Sequence, residues 1–248
     1  MKRTVTILLM AWSLYAQTGE EVAKRAYERI SGYGSSVSVT TMVLENAQGE
    51  KNIRKLEIRR LENDGGDRSL LTFLHPADLR GTKLLSYEVI GGDDKQWLYL
   101  PAIRRVKRIS SRNKSGAFMA SEFSYEDIAS QHYRNFRYDE KVRTVEKDGE
   151  TLLQVTRYPI DKHSGYWKQV VYIDPADYLT RRGDFYDRHR KLLKRITFSD
   201  YVRLDGVWRA HRIEIYNVQN NKKSTLVWDR DRIRAGLKKK DFTRKVLR

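Results

Sequence analysis

Short runs in which apolar and polar residues alternate recur along nearly the whole of this chain. A period of two places successive side chains on opposite faces of a β-strand, so each run predicts a strand with one face buried and one in water. Glycine and aspartate separate the runs, as at Asp205-Gly206, and they favour the tight turns of hairpins. Helices do not alternate with the strands, which excludes Rossmann and TIM-barrel layouts. The pattern therefore predicts a mainly β protein with an antiparallel sheet.

Two helices and about a dozen strands are predicted from these patterns. Thr18 with Glu20 and Glu21 favours a helix start, and an apolar stripe predicts a helix over residues 20–31. A second, short helix is predicted over residues 124–130. The strands are predicted at residues 37–43, 55–59, 69–75, 83–90, 96–100, 135–147, 151–158, 167–174, 178–186, 192–204, 207–218 and 224–229.

The N-terminus has the composition of an export signal. A short cationic start is followed by an apolar run over residues 5–15 and by the small residue Ala16, which predicts a secretory signal peptide over residues 1–16. The apolar run is too short to span a bilayer comfortably. No linker or internal repeat divides the remainder, so residues 17–248 are predicted to form a single exported domain.

The chain is strongly basic. It has 49 Lys plus Arg against 32 Asp plus Glu, a formal charge of +17, and removal of the signal leaves about +15. Such a charge favours an anionic partner: nucleic acid, an anionic membrane surface or an acidic protein. The export signal and the spread of the charge over many strands argue against nucleic acid. The absence of cysteine excludes disulfides, thiol nucleophiles and zinc ribbons.

No arrangement typical of catalysis is found. The five histidines are His75, His132, His163, His189 and His211. They are scattered, without the local pairing typical of metal sites. The closely spaced aspartate pairs are Asp174 with Asp177, Asp184 with Asp187, and Asp229 with Asp231. Each pair lies in or beside a predicted turn, where aspartate is favoured for its backbone hydrogen bonds. Serine-hydrolase, P-loop and dinucleotide motifs are lacking, so no enzyme activity, catalytic residue, metal or cofactor is predicted.

Residues 95–129 carry the strongest functional signal. An apolar arm, residues 96–100, is followed by a Pro101 break, a basic strand over residues 104–108, and an aromatic segment, residues 115–127, which we name the flap. This combination predicts a surface that binds an apolar ligand with an anionic end. The predicted lipid-binding residues are Trp97, Leu98, Tyr99, Leu100, Pro101, Phe118, Met119, Phe123 and Tyr125. The residues predicted to dock an anionic head group or partner are Arg104, Arg105, Lys107, Arg108, Arg112 and Lys114.

The same stretch resembles a known family. The sequence WLYLPAIRRVKRI at residues 97–109, followed by SGAFMASEFSYED in the flap, is similar to the outer-membrane lipoprotein-sorting proteins, LolA-like periplasmic proteins often associated with RND-type exporters. Ala120 and Glu122 stand where the family pattern has Gly and Asp, and the loss of glycine is expected to stiffen the flap. The resemblance implies a strongly curved antiparallel sheet, an incomplete barrel, with short helices covering its concave side. It also implies transport of a lipid or lipid-modified protein, with no catalytic residues.

Two functions follow as hypotheses. The first is a periplasmic carrier that binds a lipid or the acyl chains of a lipoprotein in an apolar cavity and shuttles it between an inner-membrane exporter of the RND type and the outer membrane. The second is a periplasmic sensor or adaptor domain that binds lipid or an outer-membrane protein and regulates a membrane partner. An exported hydrolase fits poorly because no catalytic arrangement is present.

Overall fold

The computed structural model describes residues 17–129 and 131–248, which form one antiparallel sheet of 14 strands and two α-helices. The predicted signal peptide, residues 1–16, lies outside the described residues. The elements in chain order are α1 (Gly19–Ile30), β1 (Ser35–Glu45), β2 (Lys51–Leu61), β3 (Arg68–His75), β4 (Lys83–Tyr87), β5 (Lys95–Leu100), β6 (Arg105–Ile109), α2 (Tyr125–Ile128), β7 (Phe136–Tyr138), β8 (Arg143–Lys147), β9 (Glu150–Pro159), β10 (Tyr166–Ile173), β11 (Thr180–Asp187), β12 (Leu192–Leu204), β13 (Val207–Asn217) and β14 (Lys222–Ile233).

The strand order brings the two ends of the chain together inside the sheet and leaves strands from the middle of the chain at its open edges. The order is β6-β5-β4-β3-β2-β1-β14-β13-β12-β11-β10-β9-β7, and β8 also pairs with β9. The long strands β1 and β14 pair antiparallel and join the two halves of the chain. No pairing links β6 to β7 in the described chain, so the sheet is a curled, unclosed barrel. The predicted fold class, including the incomplete barrel, is confirmed.

Several element boundaries differ from the sequence prediction. Residues 135–147 form two strands, β7 and β8, because the polar segment between them leaves the sheet. Strand β4 ends before Glu88, because that buried carboxylate accepts hydrogen bonds from three polar groups, including the backbone N–H of Asp67 at 3.0 Å. The second helix is a single turn, α2, and Ser130 lies outside the described residues.

Helix α1 forms where the sequence predicts it and lies against the concave face of the sheet. The Thr18 hydroxyl accepts a hydrogen bond from the Glu21 N–H, and the Glu21 carboxylate accepts one from the Thr18 N–H at 2.8 Å. This capping box satisfies two backbone donors that the first turn leaves free. The buried stripe of α1 includes Val22, Ala23 and Ala26, which face the sheet.

The main core lies between α1, the flap and the concave face of the sheet. Because side chains alternate between the two faces of each strand, every second residue points into this core. Leu71 of β3, Leu84 of β4 and Leu98 of β5 are cross-strand neighbours, and all three are buried there. A second, smaller core lies on the opposite face. There the C-terminal residues Phe242 and Leu247, both fully buried, cover the outward side chains of β3, β4 and β5.

Candidate functional site

A cavity of about 320 Å³ lies between α1 and the concave face of the sheet. Its wall is mainly apolar, and it is formed by α1, the flap, β2, β3 and the strands from β9 to β14. The largest contribution comes from the C-terminal strands, with Ile196, Phe198, Ile213, Ile215, Leu226 and Trp228. The volume is at the lower end of the range of about 300–1,000 Å³ that small-molecule sites occupy.

The alternation of β12 and β13 explains why this wall is apolar. Ile196 pairs with Ile215 and Phe198 pairs with Ile213 across the two strands. Residues two apart lie on one face, so both pairs point to the concave side while their polar neighbours point away. Ile30, at the end of α1, lines the cavity and is 42% exposed, so the cavity reaches solvent at this point.

Charged side chains also line the cavity. Arg60, Asp67, Arg157 and Arg209 are among the lining residues. Arg209 donates to the buried carboxylate of Asp231 at 2.9 Å. Burial raises the pKa of the Asp67 carboxyl to about 6, and the negative charge of the nearby Glu88 adds to this effect. The cavity thus combines an extended apolar wall with several charged groups, which suits an amphiphilic ligand.

The flap closes one side of the concave face. Phe118 is fully buried and packs against Phe73 and Tyr125, with ring centroids 5.8 Å and 5.5 Å apart. The guanidinium of Arg54 donates to the carbonyl of Met119 and ties the flap to β2. The flap therefore belongs to the cavity wall and is not a surface loop.

Helix α2 is fixed to the sheet by a buried ionic contact. The Lys194 Nζ lies 2.7 Å from Asp127 Oδ2, and the Tyr166 hydroxyl donates to Asp127 at 2.8 Å. The neighbouring Glu126 accepts hydrogen bonds from the Ser164 hydroxyl at 2.7 Å and the Gly165 N–H at 2.8 Å. Burial, followed by the charge of Asp127, raises the pKa of Glu126 to about 7.

The predicted lipid-binding residues fall on two faces of the sheet. Those on the concave side are Leu98, Leu100, Phe118, Met119, Phe123 and Tyr125. Of these six, Phe123 lines the cavity directly and the others pack in the core around it. Trp97 and Tyr99 alternate with Leu98, so they lie on the outer face beneath the C-terminal residues. Pro101 begins a single 3₁₀ turn at the end of β5.

The predicted docking residues lie away from the cavity. Five of them, Arg104, Arg105, Lys107, Arg108 and Arg112, are exposed around the edge strand β6. Lys114 is instead buried and forms an ion pair with Asp161, so its charge is neutralised within the chain. None of the six is among the described residues that line the cavity.

Comparisons with known proteins identify the family. The crystal structure of a domain from Vibrio parahaemolyticus, described as an outer-membrane lipoprotein-sorting protein, has 42% sequence identity and a TM-score of 0.88, and the match covers 92% of this chain and 97% of that one. The chain belongs to the outer-membrane lipoprotein-sorting protein family. A family model described as an uncharacterized protein matches residues 65–248. No curated protein matches the chain at a significant level.

Two further crystal structures share the architecture. A DUF1329 family protein from Desulfovibrio piger has 27% identity and a TM-score of 0.87, with 93% of this chain and 98% of that one covered. A LolA superfamily protein from Nitrosomonas europaea has 18% identity and a TM-score of 0.76, with 92% and 99% covered, which shows a common fold. The resemblance inferred from the residues is therefore confirmed, as is a LolA-like open barrel.

The two departures from the lipoprotein-sorting pattern have visible consequences in the flap. Ala120 has a φ of 61°, in the left-handed region, where a side chain costs about 1–2 kcal/mol that glycine avoids. Glu122 accepts a hydrogen bond from the Asn217 amide at 2.7 Å, and its own N–H donates to the Ser224 hydroxyl at 3.0 Å. The side chain of the longer acid thus ties the flap to β13, whereas the bond to β14 is made by the backbone.

The sequence patterns alone do not single out much of the cavity wall. Ile196, Phe198, Ile213 and Ile215 were predicted as strand residues without a role. The signal that identifies them is an alternation of large apolar residues at the same register in two consecutive strands. In residues 17–129 and 131–248, no helix is long and apolar enough to cross a membrane. The same described residues hold no cluster of three or more His, Asp or Glu side chains placed to bind a metal.

Proposed function

We propose that the protein is a periplasmic carrier that binds a lipid, or the acyl chains of a lipoprotein, and moves it between the inner and outer membranes. The observation that carries this proposal is the mainly apolar cavity between α1 and the concave face. Burial of an acyl chain contributes about 0.8 kcal/mol per methylene, so about ten buried carbons would contribute about 8 kcal/mol before ordering costs. Phe123, in the cavity wall, is proposed to contact the chain, and the aromatic flap residues behind it are proposed to support it.

The exposed cations around β6 are proposed to dock the carrier on an anionic membrane surface. No carboxylate of the described chain forms an ion pair with Arg104, Arg105, Lys107, Arg108 or Arg112. The turn that precedes β6 exposes Ile103, which is 51% accessible and suited to enter a lipid interface. Each cation near an anionic bilayer contributes about 1 kcal/mol.

A matched pair of charge reversals tests this docking surface. The double variant Arg105→Glu/Lys107→Glu is expected to weaken binding to phosphatidylserine vesicles at low salt by about 30-fold or more, since two contributions of about 1 kcal/mol are lost and repulsion is added. The control is Lys141→Glu/Arg143→Glu, which reverses two exposed charges beside β8, at the other end of the sheet. Equal losses in both variants would show that net charge, and not this surface, governs binding.

The carrier proposal is tested by cargo and by transfer. Mass spectrometry of an organic extract of the purified protein is expected to show bound lipid, and the protein is expected to accelerate transfer of a labelled lipid between two vesicle populations. Ile213→Asp places a charge in the cavity wall, whereas Ile53→Asp changes a residue that is 53% exposed and outside it. Transfer should fall in the first variant and persist in the second.

The outcome also separates the two hypotheses. Bound lipid without any acceleration of transfer would favour the sensor or adaptor function. Failure of the wild-type protein to bind any acyl ligand would overturn both.

A further inference from the structure

Arg157 is a cation in the wall of the cavity, on strand β9. Its guanidinium lies 4.0 Å from the centre of the Phe136 ring, and it donates to the side-chain oxygens of Gln169 at 2.7 Å and Gln131 at 3.4 Å. All of these partners are neutral. Burial lowers the pKa of Arg157, and the opposing influence comes from the hydroxyl of Tyr138.

The two buried lysines of the described chain, and the half-buried Arg209 that lines the same cavity, each have a carboxylate partner. Lys114 pairs with Asp161, Lys194 with Asp127 at 2.7 Å, and Arg209 with Asp231 at 2.9 Å. In residues 17–129 and 131–248, no Asp or Glu forms an ion pair with Arg157. A charge removed from water is costly unless an opposite charge meets it. Arg157 is half-buried and lines the cavity, so an anion bound in the cavity is placed to supply the missing charge.

We propose that Arg157 binds the anionic head group of the carried lipid, a carboxylate or a phosphate, while the acyl chain lies along the apolar wall. This inference rests on the proposed carrier function and specifies its ligand. Arg157 is two residues from Val155, which is opposite Val171 in β10, so all three share the concave face. From β9 the wall continues over β10, β11 and β12 to β13, which is about 19 Å at about 4.8 Å per strand. An extended acyl chain can follow this path from the guanidinium to Ile215.

The proposal distinguishes between classes of cargo. The acyl chains of a lipoprotein are attached through ester, amide and thioether groups, which are uncharged and give Arg157 no counter-ion. A free fatty acid or a phospholipid with an exposed phosphate supplies one, and guanidinium pairs well with both anions. The geometry therefore favours a free anionic lipid.

The experiment compares ligands with the same chain and different head groups. The probes are palmitate, 1-palmitoyl lysophosphatidate and methyl palmitate, each added below its aggregation concentration. Trp208 and Trp228 line the cavity, so intrinsic tryptophan fluorescence reports binding. Wild-type protein is expected to bind at least one of the two anions about tenfold or more tightly than the neutral ester, since hydrogen bonds to a charged group contribute at least this much. The better of the two anions identifies the head group as carboxylate or phosphate.

Three variants complete the test. Arg157→Gln should abolish the preference for the anion while methyl palmitate still binds, and Arg157→Lys should keep part of it. The control Arg137→Gln removes the same charge from an exposed position on the adjacent strand β7 and should leave the preference unchanged. A wild-type protein that binds the ester and the anions equally would overturn the inference and leave the carrier function standing. The same conclusion follows if Arg157→Gln folds and keeps the preference, whereas a wild-type protein that binds none of the probes would overturn both. The wild-type comparison stands even if Arg157→Gln does not fold.

Discussion

Filling the cavity from the α1 side should separate ligand binding from stability. Ala26 is buried on α1 and lines the cavity. In Ala26→Phe the added ring would occupy space that about four methylenes of a ligand chain would otherwise fill. At about 0.8 kcal/mol per methylene this removes about 3 kcal/mol of binding free energy, or about 100-fold or more in Kd.

The same substitution should not destabilise the free protein. Phenylalanine costs about 0.5 kcal/mol relative to alanine in helix propensity, but burial of its ring contributes about 1.5–3 kcal/mol when space is already available. The expected result is therefore an unchanged or higher Tm together with a large loss of affinity.

The matched control is Val22→Ala on the same helix. Val22 is fully buried in the core but does not line the cavity. Its truncation should lower the free energy of unfolding by about 1–3 kcal/mol and leave the Kd for palmitate nearly unchanged. Affinity is measured by intrinsic tryptophan fluorescence, and stability by urea unfolding. If folded Ala26→Phe binds palmitate as tightly as the wild-type protein, the acyl chain does not lie beside α1 and the assignment of the cavity is wrong.

Two further predictions concern pH and the C-terminal residues. The pKa of Glu126 rises from 4.5 to about 7 on folding, so the folded state binds the proton of this carboxyl more tightly than the unfolded state does. Protonation of Glu126 therefore stabilises the fold fully below about pH 4.5, and this stabilisation is lost as the pH rises through 7. Glu126→Gln should remove a pH-dependent part of the free energy of unfolding, about 3 kcal/mol between pH 4.5 and 8, as measured by urea unfolding. If the variant shows the same pH dependence of stability as the wild-type protein, the carboxyl of Glu126 is not buried and protonated. Phe242→Ala should lower the free energy of unfolding by about 3–5 kcal/mol, because its ring is fully buried on the outer face of the sheet. The exposed neighbour Arg244 provides the control, since Arg244→Ala should change the free energy of unfolding by less than about 1 kcal/mol. Similar losses of stability in both variants would refute specific packing of the C-terminal residues.

The sequence determined the elements and the family. Local rules suffice for elements, because alternation, turn residues and a capped amphipathic stripe act over a few residues at a time. The helix that begins after Thr18 and most of the strands appear where those rules place them. The motif at residues 97–127 also identified the family, since it is long and specific.

The tertiary structure alone decided which apolar residues line the cavity. Alternation divides Trp97 and Leu98 between two faces, but it does not say which face is concave, and that depends on the pairing of β1 with β14 and on the position of α1. The same holds for charge: Lys114 and Arg157 are alike in sequence as isolated cations, yet folding brings Asp161 to the first and only neutral groups to the second. Such contacts join residues far apart in the chain, and the free energy of a buried charge depends on what surrounds it in three dimensions.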